Sequence, residues 1–405
     1  MPAMSRILYC WELGAGYGHI AAFLPVARRL RQAGHDVIFV LKNLQFADVL
    51  LGDEAFGYLQ APVYWPDGRP LPAALNYAGI LANTGYTDPA ALYSRANAWR
   101  ALYRHLKPDL LVFDHAPTAQ LAARGLPLTG ALFGGGFQIP PASHPLPALR
   151  PWLPTAPREL ADTEARVLAG ANAVAARLEA PTLRTLADLF ETAETFLCTW
   201  PELDAYPQRV SARYWGPALH ATAGSEPHWP TGSALKLFGY LRPEYPALGP
   251  LLQALAASGW SCLLHIPGAS AAFADQHAGA NLHICAQPLR LEAALGTCDL
   301  AVHHGGAATG AACLLAGKPQ LVLPMQIEQA INARRITEVG AGVQVPAETL
   351  KPNFRALLKD LSARPNYAAA AKAFGAKYVG FEPDAQAQAI AERCLSLIET
   401  RPQAD

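Results

Sequence analysis

The sequence predicts an α/β protein made of two doubly wound, Rossmann-like domains. Three observations carry that expectation. Apolar runs of strand length alternate with helical patterns along the chain, the mark of parallel sheets with crossover helices. Two of those runs, Arg6 to Leu13 and Asp299 to Val302, pass through glycine-rich turns into helices, as dinucleotide-type units begin. Between them, Ala218 to Thr231 is an aperiodic stretch of small and polar residues suited to a linker. A chain of 405 residues is long enough to give each domain a core of its own.

Composition narrows the class. Net charge is zero, 16% of residues are charged and 51% are hydrophobic, so there is no electrostatic footprint for nucleic acid. No apolar run approaches the roughly 18 residues of a membrane span. The start, MPAMSRILYC, runs straight into a strand without an apolar leader, which leads us to expect a cytoplasmic protein. Seven cysteines with no C-x-x-C spacing read as reduced core residues.

In the first half, the strand from Arg6 is followed by Gly14-Ala-Gly-Tyr-Gly18, then His19 and an amphipathic helix to about Ala33, where Gly34 stops it. Asp36 to Leu41 is the next strand. A dinucleotide fingerprint fails here: the glycines fall as G-x-G-x-G, and Lys42 and Asn43 stand where a ribose-binding acid belongs. Residues 61–90 and 134–157 read as long irregular segments, rich in Pro and Gly and carrying Tyr64, Trp65, Tyr77, Tyr86, Phe137 and Trp152. Pro108 to Asp114 is a strand with an acid at its carboxyl end. Asp109 sits at the opposite edge and reads as a cap, and His115 is expected to point away from Asp114 and to be structural. Residues 158–192 read as one or two helices, and Phe196 to Trp200 as a further strand.

In the second half, strands are expected at Ala234 to Phe238, Ser261 to His265 and Leu282 to Cys285, the first followed by a turn, Gly239-Tyr-Leu-Arg242-Pro243. The most informative stretch is His303 to Arg335. It runs from a buried strand through Gly305 and Gly306 into a small-residue helix, Thr309 to Ala316, closed by Gly317 and Pro319. A second strand, Gln320 to Pro324, follows. Such a turn points unpaired N–H groups and the positive helix end out of the sheet, so it reads as an anion site. His303 and His304 are strand neighbours facing opposite ways and cannot chelate one ion together, and no Asp-x-Asp occurs, so no metal site is expected. A final helix covers Asp384 to Glu399.

Two of these stretches together resemble the family 1 nucleotide-sugar glycosyltransferases. One carries His304-Gly305-Gly306-Ala307-Ala308-Thr309, Ala316 to Pro319, and the acidic-Gln pair Glu328 and Gln329; the other carries Gly18-His19 with a slightly displaced Pro25 and the strand-end acid Asp114. The resemblance implies two domains facing across a cleft. Residues 1–222 would form the acceptor-binding domain, with 376–405 packing back on it, and 232–375 the donor-binding domain. It implies that His19 is the general base, oriented by Asp114, with the helix N-terminus disfavouring the protonated ring. It implies donor contacts from Gly239, His304 and the turn to Thr309 for the diphosphate side, from Pro288 in the base-binding segment, and from Glu328 and Gln329 for sugar hydroxyls; Arg242 is a donor-side positive charge or a solvated residue. It implies an acceptor pocket shaped by the irregular segments, with Tyr17, Tyr64, Trp65, Tyr86, Phe137 and Trp152 as its wall or as packing.

The match is incomplete at the nucleoside end. Ala286 stands where relatives place a base-stacking Trp, Ala312 where they place a ribose-binding Glu, and Tyr240 where they place a Ser. Since a thymidine nucleotide lacks the 2′-hydroxyl, the missing carboxylate favours a thymidine over a uridine donor. The expected activity is metal-independent, inverting transfer from a nucleoside-diphosphate sugar to a small-molecule hydroxyl, the nucleotide sugar being a co-substrate and no cofactor being needed. An epimerase-like enzyme acting on the sugar nucleotide alone, and a catalytically silent sugar-nucleotide binder, are the alternatives.

Overall fold

The computed structural model describes residues 4–400 except 17, 46, 67, 69–70, 220–223, 232–234 and 347. Tyr17, Ala234, parts of the linker and the expected boundaries at 222 and 232 lie outside the described residues. The chain divides into two compact units: residues 1–200, 206–218 and 382–405, and residues 201–205 with 219–381.

Unit 1 holds six parallel strands: β1 Arg6–Trp11, β2 Asp36–Leu41, β3 Gly57–Gln60, β4 Leu110–Asp114, β5 Thr129–Gly134 and β6 Glu194–Leu197. Their order is β3-β2-β1-β4-β5-β6. The chain therefore winds outward from β1 in one direction and from β4 in the other, which is the doubly wound pattern expected of the sequence. Both faces are covered, so the strands read as continuous apolar runs. Ile7, Tyr9 and Trp11 enter one layer with the helix Gly18–Gln32, while Leu8 and Cys10 enter the other with the helices Pro89–Leu106 and Pro157–Arg177.

The terminal helix, Pro383–Glu399, is part of the first layer. Ile390, Ala391, Cys394 and Leu397 bury against the helix Gly18–Gln32, Gln386 donates to the carbonyl of Trp215 at 2.8 Å, and Arg393 bonds Glu194 at 2.6 Å.

The segment 61–90 is less irregular than its composition suggests. Tyr77–Leu81 is a helix that widens into a further turn, Ala82–Tyr86, and Asn76 starts it by accepting the N–H of Gly79 at 3.2 Å. Gly85, at φ +80°, lets the chain turn out. The segment 134–157 keeps its irregular course after a short turn at Gly136–Gln138, and Asn76 Nδ2 holds it by donating to the carbonyl of Leu146 at 3.2 Å.

Unit 2 repeats the plan with β7 Lys236–Tyr240, β8 Ser261–His265, β9 Leu282–Cys285, β10 Leu300–His303, β11 Gln320–Val322 and β12 Gly342–Gln344. The order β12-β11-β10-β7-β8-β9 has the same form as that of unit 1. All seven cysteines are free. Among the described residues no helix is long and apolar enough to cross a membrane.

Candidate active site

In an open parallel sheet the place for chemistry is the carboxyl edge where the winding direction reverses. In unit 1 that place lies between β1 and β4, whose last residues, Trp11 and Asp114, are paired in register. His19 comes from the helix after β1 and Asp114 from the end of β4, and the structure brings them together: His19 Nδ1 lies 2.8 Å from Asp114 Oδ2. A carboxylate only accepts, so Nδ1 carries the proton and Nε2 the lone pair. Asp114 is 2% exposed and His19 16%. Two residues not singled out from the sequence complete the arrangement. The Tyr9 hydroxyl donates to Asp114 Oδ2 at 2.6 Å, and the Trp11 ring stacks on His19 with centroids 5.0 Å apart. Alternation along β1 puts Tyr9 and Trp11 on one face, which is the signal that could have found them.

Glycine is required at position 14. Its φ is +89°, and a Cβ there would lie 2.5 Å from His19 Nε2. Lys42 donates to the Gly14 carbonyl at 2.5 Å, so the residue that displaced a ribose-binding acid secures the turn instead. Asp109 accepts the N–H of Arg6 at 2.8 Å, at the opposite end of the strand from His19.

His115 departs from expectation. A residue after Asp114 should face away, but His115 has φ +47°, which breaks the alternation and turns its ring to within 6.3 Å of His19. Burial lowers its pKa to about 3, with the nearby His19 adding to the effect. Glu12, just past β1, is also buried. Its carboxyl group bonds the Thr118 N–H at 2.8 Å and the Thr118 hydroxyl at 2.5 Å, and burial pushes its pKa up to about 7.

The aromatic candidates separate by burial. Tyr86 is fully buried among Trp99, Leu92 and Val167, so it is a core residue and not a pocket wall. Trp65 is 83% exposed. Phe137 is buried edge-on to His115 at 6.1 Å, and Tyr64 lies against the Arg95 guanidinium. Trp152 is half-buried in a turn.

The corresponding edge of unit 2 lies between β7 and β10. Gly239, expected in the turn after β7, is inside the strand, and a Cβ there would strike Leu264 on β8, so glycine serves sheet packing here. The turn begins at Leu241. Its Arg242 N–H donates to His304 Nε2 at 2.8 Å, and His304 Nδ1 donates to the Leu323 carbonyl at 2.7 Å. Both ring nitrogens are engaged by main chain, so the His304 ring joins the turn after β7 to the strand end at Leu323. Burial lowers its pKa. His303 faces elsewhere: Nε2 donates to Gln320 Oε1 at 2.6 Å and Nδ1 accepts the Gly305 N–H at 3.0 Å.

Gly305 adopts φ +81°, and a Cβ there would lie 2.7 Å from the Gln329 carbonyl. Gly306 is the N-cap of the helix Ala307–Leu315, which begins two residues earlier than expected and has no side-chain cap, so Ala307, Ala308 and Thr309 form its first turn. Asn332, unremarked in the sequence, fixes the turn by donating to the Gly305 carbonyl at 2.9 Å. Its signal is helical spacing, three residues after Gln329. Glu328 and Gln329 occupy the first turn of the helix Ile327–Glu338, where Gln329 Oε1 accepts the Met325 N–H at 2.8 Å. The Pro288 carbonyl accepts from Ser225 at 3.1 Å. Among the described residues no group of three His, Cys, Asp or Glu side chains could hold a metal ion.

Residues 269–397 match the family model described as erythromycin biosynthesis protein CIII-like, C-terminal domain. The chain is 28% identical over 360 residues to L-demethylnoviosyl transferase of Streptomyces niveus, a match covering 82% of this chain and 84% of that protein. Among solved structures, the calicheamicin glycosyltransferase CalG4 aligns with a TM-score of 0.71 at 18% identity, covering 98% of this chain and all of that one. Glycosyltransferase VinC, solved in complex with dTDP, aligns with a TM-score of 0.68 at 19% identity over 97% of this chain and 99% of that one. Fold and relatives together define the class: this is a glycosyltransferase of the two-domain GT-B type. More particularly, its C-terminal part resembles the erythromycin biosynthesis protein CIII-like C-terminal domain, and most of its length is similar to a Streptomyces sugar transferase.

Proposed function

We propose that this enzyme transfers a sugar from a thymidine-diphosphate donor to a hydroxyl of a small-molecule acceptor, by a single inverting displacement that calls on no metal ion. The observation that carries the reading is the His19–Asp114 pair at 2.8 Å on the reversal edge of unit 1. Asp114 holds the Nδ1–H tautomer, so Nε2 takes the proton as the acceptor oxygen attacks the anomeric carbon, and Asp114 stabilises the imidazolium that forms. Base catalysis of this kind contributes about 10² to 10⁴ in rate. One attack from the face opposite the leaving diphosphate inverts the anomeric centre.

On the donor side, the Gly305–Gly306 turn and the uncapped start of the helix Ala307–Leu315 offer main-chain N–H groups to the leaving diphosphate. Three findings support thymidine. Ala312 puts no carboxylate on this helix, VinC was solved with dTDP, and SsfS6 of Streptomyces sp. SF2575 was solved with thymidine diphosphate.

Calorimetric titration with dTDP and with UDP tests the donor; equal or tighter UDP binding rejects it. Proton NMR of the product's anomeric centre tests inversion, and turnover after exhaustive chelation tests metal independence.

A further inference from the structure

The indole of Trp11 covers one face of the His19 ring. The two rings lie 23° from parallel with centroids 5.0 Å apart, while Asp114 takes the edge of the imidazole at Nδ1. Trp11 is the last residue of β1 and is fully buried. Its Nε1–H donates to the Leu13 carbonyl at 2.6 Å, and the Leu13 N–H donates in turn to the His115 carbonyl at 2.9 Å, so the indole is pinned to the main chain beyond the strand. Tyr9, two residues back on the same face of β1, stacks in the same way on Phe23, four residues on from His19 in the helix. Those centroids are 4.7 Å apart and the planes 13° from parallel. His19 therefore ends a short ladder of stacked rings between strand and helix. For packing alone an aliphatic side chain would serve at position 11, and it would bring no N–H in need of a partner. An aromatic face adds what an aliphatic one lacks: it carries the negative part of the ring quadrupole and attracts a cation lying over it. His19 becomes such a cation on taking a proton, and its side chain is only 16% exposed, so water does little to stabilise the charge.

We propose that Trp11 is a positioning residue for the transfer: its π face holds the His19 ring in line with Asp114 and stabilises the imidazolium that forms as the acceptor proton arrives. This rests on reading His19 as the base. In that step the hydroxyl proton passes to His19 Nε2, the oxygen bonds the anomeric carbon, and the bond from that carbon to the diphosphate breaks with its electron pair leaving on the diphosphate. Trp11 makes and breaks no bond. Among the described residues, the titratable groups around the imidazole are Asp114 at Nδ1, Tyr9 on the same carboxylate, His115, Glu12 and Lys42. Asp114 attracts the imidazolium and Lys42, held at the Gly14 carbonyl, opposes it. Burial keeps Tyr9 protonated and lowers the pKa of His115 to about 3, so both stay neutral near pH 7. The indole supplements the one carboxylate that touches the ring.

The test titrates His19 in the full-length enzyme by NMR of its ring Cε1–H, identified as the signal that His19→Ala lacks. Two proteins are compared with wild type: Trp11→Leu, which removes the π face, and the unsubstituted chain produced with 5-fluorotryptophan, which weakens that face but keeps the ring's shape and its N–H. Trp11→Leu should lower the His19 midpoint by about 0.5–1 pH unit. Turnover of dTDP-glucose with 7-hydroxycoumarin should fall about three- to tenfold, and the fluorinated enzyme should move both readouts the same way by less. A ring that only packs and excludes water predicts the opposite sign, since the space left by leucine admits water, which favours the charged form and raises the midpoint. Glu12 has a pKa of about 7, so the titrations are repeated with Glu12→Gln to keep its charge out of the comparison. A midpoint that rises or stays put in either protein overturns the proposal and leaves the His19 reading standing. Where Trp11→Leu does not fold, the fluorinated enzyme decides alone. Full activity in His19→Ala removes the His19 reading itself.

Discussion

His304 accepts the main-chain N–H of Arg242 at 2.8 Å, tying the turn after one strand of unit 2 to the turn after its neighbour. Because His304 also donates to Leu323, the ring acts through geometry and not through charge. His304→Ala should weaken dTDP binding by up to about tenfold, the net worth of one lost hydrogen bond at roughly 1 kcal/mol. Burial lowers its pKa, so the ring should give no gain in wild-type dTDP affinity as pH falls from 8 to 6.5. A wild-type affinity that falls steeply with rising pH in calorimetry contradicts a neutral clamp.

Asp114 is served by both His19 and Tyr9 through one oxygen. His19→Ala should lower turnover by about 10² to 10⁴, and Asp114→Asn should do likewise by releasing the Nδ1–H tautomer. Tyr9→Phe should keep activity within about tenfold but cost about 1.5–3 kcal/mol of stability, since it strips a hydrogen bond from a buried charge. Thermal unfolding beside single-turnover rates separates the two effects; a Tyr9→Phe enzyme as inactive as His19→Ala would contradict this division of labour.

Gly14→Ala should inactivate without unfolding. Alanine at φ +89° costs about 1–2 kcal/mol, and its Cβ would push against His19 Nε2. A folded protein by circular dichroism, unchanged in dTDP affinity and slower by about 10²-fold or more, is the expected result. Wild-type turnover in Gly14→Ala would mean that His19 Nε2 is not the reacting atom.

Glu12 gives the stability a pH dependence of known sign. Its folded pKa of about 7 lies above the ordinary 4.5 because burial disfavours the charge. The folded state therefore holds the proton more tightly, and stability from this group is present below pH 4.5 and lost as pH rises through 7. The difference is on the order of 3 kcal/mol. Glu12→Gln keeps a partner for each Thr118 group, so at pH 8 it should melt above wild type, with the gap closing towards pH 5. A gap that widens on acidification would reverse the sign.

Local patterns made much of this enzyme legible. An acid closing a buried strand, a glycine turn opening a helix and apolar runs of strand length are each written in a few adjacent residues, so the strands, His19, Asp114 and the Gly305–Thr309 turn could be located in advance. Features that depend on distant neighbours could not. His115 turns towards His19 because one φ angle crosses zero, and no residue type announces that. Tyr86 enters the core because the segment around it is helical, where composition suggested a loop. His304 accepts the main-chain N–H of Arg242, which reaches it from the turn after another strand. Gly239 sits in a strand since β7 extends further than its apolar run suggested.

The helix Pro383–Glu399 comes last in the sequence but completes the layer begun by the first helix, Gly18–Gln32. Shuffling halves between related enzymes is therefore not a matter of one junction. A hybrid joined only near residue 218 would set one parent's Ile20 and Leu24 against the other parent's Ile390 and Leu397, two surfaces never selected to fit. A second junction near residue 382 lets each parent keep its own pair, and hybrids built that way should yield more folded protein.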